Sequence, residues 1–248
     1  MDENQIILVD KPAGISSFGV VARVRSYLKV EFGHKVKVGH TGTLDPFATG
    51  LLILLSGKMT KRSNEFLKKD KIYEATLKLG YTSTTGDPEG QIQEYNSISR
   101  APEDTLSRSM LADVASTERP SPVTTGARER SEKDVSLVLN GFIGKITQIP
   151  PRFSAIKING ERAYKLARKG ADFEIPSREV EIYSINILDY HYPFLTIRVH
   201  CSSGTYIRTL AEDIGRKLGT GAYLTSLRRT KVGDYIIKDA FPLSHFIS

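Results

Sequence analysis

GHTGTLDPFATGLLILLSG, residues 39–57, sets one carboxylate, Asp45, among glycines, threonines and a proline, and follows it at once with an almost unbroken apolar run. Asp followed by Pro commonly opens a helix, with an acceptor side chain at the N-cap and a preset φ at the first helical position. Here Thr49 and Gly50 come quickly and the chain turns strand-like, which leaves little helix to cap. The glycines instead allow the backbone of this loop to approach a ligand closely. The stretch therefore reads as a loop bearing a carboxylate, anchored from behind by a buried strand.

Outward from it the pattern is mixed. Ile6 to Val9 is a short apolar strand ending in the turn signal DKPAG, after which Ser17 is placed to cap a helix with Val20, Val21, Val24, Tyr27 and Leu28 on its apolar face. Residues 71–79, KIYEATLKL, alternate, with Tyr73, Ala75, Leu77 and Leu79 on one face. Leu195, Ile197 and Val199 alternate likewise, and a Ser-Ser-Gly turn leads to a helix carrying Ile207, Leu210, Ala211, Ile214 and Leu218. Strands interleaved irregularly with a few helices predict an α+β domain around a mixed, largely antiparallel sheet. Residues 97–134 are rich in Ser, Thr, Arg, Glu and Pro, and read as a long, mobile surface insertion. Val135, Val138, Leu139 and Phe142 then resume the fold as a short helix.

Composition narrows the function classes. The chain has 248 residues, 40% of them hydrophobic, with no apolar run long enough to span a bilayer and no basic, cleavable N-terminal leader. One cysteine, Cys201, permits no internal disulfide, so a reducing, cytoplasmic setting is expected. Thirty-five Lys and Arg against 28 Asp and Glu give a net charge of +7, which favours a polyanionic partner, nucleic acid first.

Familiar site patterns are missing. In GLLILLSGKMT, six residues separate Gly50 from Gly57 and Met59 follows the lysine, so a phosphate loop with its magnesium-binding hydroxyl is not formed. Gly39, Gly42 and Gly50 do not make a dinucleotide fingerprint, and no G-x-S-x-G is present. The five histidines form no metal-binding pair, so neither a metal nor a nucleotide cofactor is expected.

GHTGTLDPFATGLLILLSGKMTK closely resembles the signature of the TruB family of tRNA pseudouridine synthases. VDKPAGISSF at 9–18 is similar to the family's N-terminal motif, and KIYEATLKLGYTSTTGDPEG at 71–90 to its tyrosine strand and following loop. QIPPRFSAIKINGERAYKLARKG, from 148, resembles its RNA-gripping segment, taken as 148–179; VHCSSGTYIRTLAEDIGRKLG at 199–219 and LTSLRRTKVGDY at 224–235 complete the series. The motifs stand in family order and cover most of the chain outside the insertion.

The resemblance implies the pseudouridine synthase catalytic fold as a single domain over 1–248, a tRNA substrate modified at uridine-55 of the T-loop through a flipped base, and a catalytic Asp45. It implies that Arg208 pairs with that carboxylate, that Tyr73 stacks on the target base, and that His40 lies near the flipped nucleotide. Without the resemblance, Arg208 is a helix-surface arginine off the apolar stripe, and Tyr73 a core tyrosine. Isomerisation only rearranges atoms, so no redox or metal cofactor is needed. Lys157, Arg162, Lys165, Arg168 and Lys169 surround Tyr164; on a helix Arg162, Lys165 and Lys169 share one face, the candidate contact to RNA phosphate. Many relatives continue into a C-terminal PUA domain, whereas this chain ends at FPLSHFIS, so a PUA domain is not expected, nor an oligomer beyond the monomer. The competing class is a non-catalytic RNA-binding or tRNA-folding module on the same scaffold. A pure binder has no physical need for a carboxylate that repels phosphate.

Overall fold

The computed structural model describes residues 2–95, 129–158 and 160–246. In chain order the first half comprises β1 (Ile6–Lys11), α1 (Ser17–Phe32), β2 (Val38–His40), β3 (Thr49–Ser56), α2 (Ser63–Leu67), β4 (Lys71–Leu79), β5 (Tyr81–Ser83) and β6 (Ile92–Glu94). Then come α3 (Glu132–Asn140), β7 (Gly144–Gln148), β8 (Lys157–Ile158), β9 (Glu161–Arg162), α4 (Ala163–Arg168), β10 (Arg178–His191) and β11 (Phe194–Cys201). The chain closes with α5 (Ile207–Leu218), β12 (Ala222–Val232), β13 (Tyr235–Ile236) and β14 (Phe241–Pro242).

One sheet of ten strands organises these elements in the order β14-β1-β3-β12-β4-β11-β10-β7, with β2 added to β3 and β13 to β12. Only β1 with β14 and β3 with β12 run parallel; the other pairs are antiparallel, as the alternating patterns predict. Strand β4 begins and ends where its alternation does, with Tyr73, Ala75, Leu77 and Leu79 inward. Helices α3 and α5 cover that face, burying Val135, Leu139, Leu210, Ile214 and Leu218 against Leu77, Leu195 and Ile197.

The apolar run behind Asp45 is β3, and it is unbroken because both its faces are covered. Leu52 and Leu54 pack under α1 with Val20, Val21 and Val24, while Leu51, Ile53 and Leu55 pack with Phe66 and Val232 on the other side. Gly50 lies opposite Arg229 where β3 meets β12, with φ at +102°, and a Cβ there would stand 2.3 Å from the Arg229 carbonyl oxygen. Gly50→Ala is therefore expected to cost about 3 kcal/mol, through a strained φ and a clash with backbone that cannot yield. In a thermal melt that is a fall in Tm of about 6–12 °C for a chain of this size.

Three expectations shift. Helix α1 is capped by Ser16, whose hydroxyl accepts from the Gly19 amide; Ser17 is the first helical residue, and its buried hydroxyl is committed to the loop carrying Asp45. Most of the insertion expected at 97–134 lies outside the described residues. Its end belongs to the fold, since Ser131 and Asp134 form a capping box that starts α3. The helix expected to align Arg162, Lys165 and Lys169 is the short α4: Arg162 sits in β9 before it and Lys169 ends it. Among the described residues no helix is long and apolar enough to cross a membrane.

Candidate active site

Asp45 lies in the connection from β2 to β3, and four side-chain or backbone ties fix that loop. The Ser17 hydroxyl accepts from the Leu44 amide and donates to the Leu44 carbonyl, both at 2.8 Å. The Lys11 ammonium donates to the carbonyls of Pro12, Ile15 and Pro46, at 2.8, 2.7 and 3.1 Å. The Gly14 amide reaches the same Pro46 carbonyl at 2.9 Å. From β12, Arg229 donates to Gly42 at 3.1 Å and to Leu51 at 2.8 Å. Lys11 is fully buried, and that burial lowers its pKa to about 8 although Asp45 and Glu89 pull it up. A lysine held in such surroundings by three carbonyls works as a clamp on the turn.

Arg208, the second residue of α5, meets Asp45 directly. Its Nε stands 3.1 Å from Asp45 Oδ2, and its Nη1 donates to the Thr85 carbonyl at 3.0 Å and to Asp87 Oδ2 at 3.2 Å. Its Nη2 donates to the Phe153 carbonyl at 2.8 Å. The side chain is 4% exposed, so the surface alternative fails: the loop 84–90 and the segment after β7 roof the side of α5 that carries no apolar stripe. Asp87 is itself held by the Thr85 hydroxyl at 2.6 Å and the Glu89 amide at 3.0 Å. One guanidinium thus aims two carboxylates, of which Asp45 is the more exposed.

Burial raises the Asp45 pKa, the Arg208 charge opposes that rise, and Asp87 adds to it. Its side chain nonetheless keeps 31% exposure, because it stands where two cavities meet. The inner one, of about 270 Å³, is lined by Tyr73, Tyr206, Ile207, Leu227 and Arg229. The outer one, of about 510 Å³, is lined by Phe18, His40, Glu89, Arg162, Tyr164 and Arg168. Asp45, Arg208 and Ser154 border both. Tyr73 is buried on β4, and burial raises its phenol pKa against the pull of Arg229. Burial lowers the His40 pKa, reinforced by Arg229 and Arg162, so its imidazole is neutral at pH 7.

The structure therefore joins Asp45, Tyr73 and Arg208, and brings His40, Arg162 and Arg168 to the outer cavity. Lys157, Lys165 and Lys169 do not line it, and Lys169 is paired with Glu161 at 2.8 Å. Sequence reasoning overlooked Asp87, Lys11 and Ser154, and took Ser17 for a helix cap only. Asp87 carried a signal, because Asp87-Pro88 repeats in a glycine- and threonine-rich loop the dipeptide that drew notice to Asp45. Arg228 and Arg229, in the stretch LTSLRRTKVGDY, do not add to the basic face. Arg228 instead pairs with Asp10 at 2.8 Å, and Arg229 is buried structural support.

This arrangement of strands and helices is the pseudouridine synthase fold. The chain superposes on the protein in "Crystal Structure of a Cbf5-Nop10-Gar1 Complex" with a TM-score of 0.65 and 25% identity, over 98% of this chain and 53% of that one. The family profile described as TruB family pseudouridylate synthase (N terminal domain) matches residues 25–123 and 111–207, and one described as tRNA pseudouridylate synthase B C-terminal domain matches 208–247. The chain belongs to the TruB family. Among its relatives, a tRNA pseudouridine synthase B of Phocaeicola vulgatus is 41% identical, over 98% of this chain and 92% of its own. One of Bifidobacterium longum is 39% identical over 94% of this chain, which spans 64% of that relative's length.

Proposed function

We propose that this protein is a tRNA pseudouridine synthase acting on uridine-55 of the T-loop, with Asp45 as its catalytic carboxylate. The observation that carries this reading is the carboxylate held by a buried arginine where two cavities meet, one bordered by Tyr73 and Tyr206, the other by Phe18, Tyr164, Arg162 and Arg168. The target nucleotide leaves its stack and crosses the outer cavity; its uracil enters the inner one against Tyr73 and its ribose faces Asp45. The bond from C1′ to N1 breaks, the base turns, C5 bonds to C1′, and the proton lost from C5 is balanced by one gained at N1. Asp45 stabilises or captures the electron-poor C1′. The buried Ser154 hydroxyl, which has no hydrogen-bond partner among the described residues, offers a donor to the nucleotide at that junction.

Incubation with an unmodified tRNA transcript tritiated at C5 of uridine is expected to release tritium, with the product mapped to position 55. No release from RNA that is bound would overturn the enzyme reading and leave the binding module. Release mapped elsewhere would overturn the position alone.

Arg162 and Arg168 supply the phosphate contacts of the outer cavity in this reading. Replacing both by Ala is expected to raise KM about tenfold with kcat nearly unchanged, and to reduce the slope of log affinity against log salt by about 1.5. Steady-state kinetics and filter binding across a salt series check both parts.

A further inference from the structure

The target nucleotide does not account for the whole outer cavity. Phe18, in the first turn of α1, lines it as well and is 65% exposed. An aromatic ring left that open gains nothing from the core: the neighbouring positions Val20, Val21 and Val24 make the helix's packing face. The Arg25 guanidinium carbon lies 5.8 Å from the Phe18 ring centroid, and its Nη2 donates to the Val38 carbonyl at 3.2 Å, which fixes the cation beside the ring. The arrangement recurs in the same cavity, with Arg168 5.7 Å from the Tyr164 ring centroid. Two aromatic rings, each with a guanidinium alongside, thus line a cavity that Asp45 also borders.

Single-stranded RNA is gripped by this combination, aromatic faces for unstacked bases and cations for the phosphates between them. Flipping one nucleotide out of a loop also deprives its neighbours of a stacking partner. We infer that Phe18 is the platform on which a base flanking the target uridine stacks, with Arg25 neutralising the phosphate that joins the two. The inference rests on the proposed RNA reading, and concerns the hold on the loop rather than the chemistry at Asp45.

The test is a cycle between protein and RNA. Kd is measured by filter binding for a T-loop stem–loop and for versions abasic at each position flanking the target, using wild type, Phe18→Ala and Phe18→Trp. Phe18→Ala is expected to weaken binding of the intact RNA about tenfold. It should cost nothing further on the one RNA whose flanking base is missing, while Phe18→Trp stays near wild type. An unchanged Kd for Phe18→Ala, or an equal loss on every RNA including each abasic one, would overturn the inference. Wild type that binds the stem–loop but releases no tritium would instead sink the enzyme reading and leave the stacking result standing. Because Phe18 is largely solvent-exposed, a thermal melt of either variant should match that of wild type.

Discussion

Asp45→Asn is expected to abolish turnover, by at least about 10³-fold in kcat, while RNA affinity changes little. The carboxamide keeps the shape of the side chain and can still accept from Arg208, but it can neither balance positive charge at C1′ nor bond to it. Folding should survive, and the sign of the Asp45 pKa shift says why. Burial raises that pKa, so it is the protonated carboxyl that favours the folded state. That contribution is complete below the ordinary carboxylate pKa and is lost as pH rises through the raised folded-state value. At neutral pH the ionised group is a burden on folding, which asparagine removes, while Arg208 keeps Asp87 and two carbonyls as partners. Tritium release, filter binding and a thermal melt on one preparation decide the matter. Turnover within tenfold of wild type by a folded Asn variant would remove Asp45 from the chemistry.

Arg208→Lys is the second large effect. The guanidinium reaches Asp45, Asp87, Thr85 and Phe153 from three nitrogens in one plane, and a single ammonium cannot occupy those positions together. Two buried or half-buried carboxylates would then compete for one point charge, and at least one carbonyl would lose its donor. Turnover is expected to fall about 10²-fold or more and stability by about 3 kcal/mol, although net charge is unchanged. A lysine variant with wild-type kinetics and melting would show that charge alone, not the fork, holds Asp45.

Much of this arrangement is legible in the chain before any fold is seen. The alternation of KIYEATLKL marks β4 residue for residue, and the run after Gly50 reads as a buried strand, because burial on both faces leaves no room for polar alternation. What the chain does not display is closeness between distant segments. Arg208 and Asp87 stand 121 positions apart, and nothing local to either announces the other. Lys11 looks like an ordinary turn lysine until the Pro46 carbonyl is brought to it. The basic segment misled for a different reason: a helical period was assumed across Arg162 to Lys169, whereas a two-strand hairpin and a helix of less than two turns interrupt it, and Glu161 engages Lys169.

The parallel seam between β3 and β12 has a consequence for the life of the chain. Asp45 is made early, but the loop that presents it is braced by Arg229, which reaches back to Gly42 and Leu51 from a strand close to the end of this sequence. A nascent polypeptide that has emerged only through α5 holds the carboxylate and its arginine without the brace beneath them. Such a chain lacks the donors to the Gly42 and Leu51 carbonyls, which are supplied only when β12 pairs beside β3.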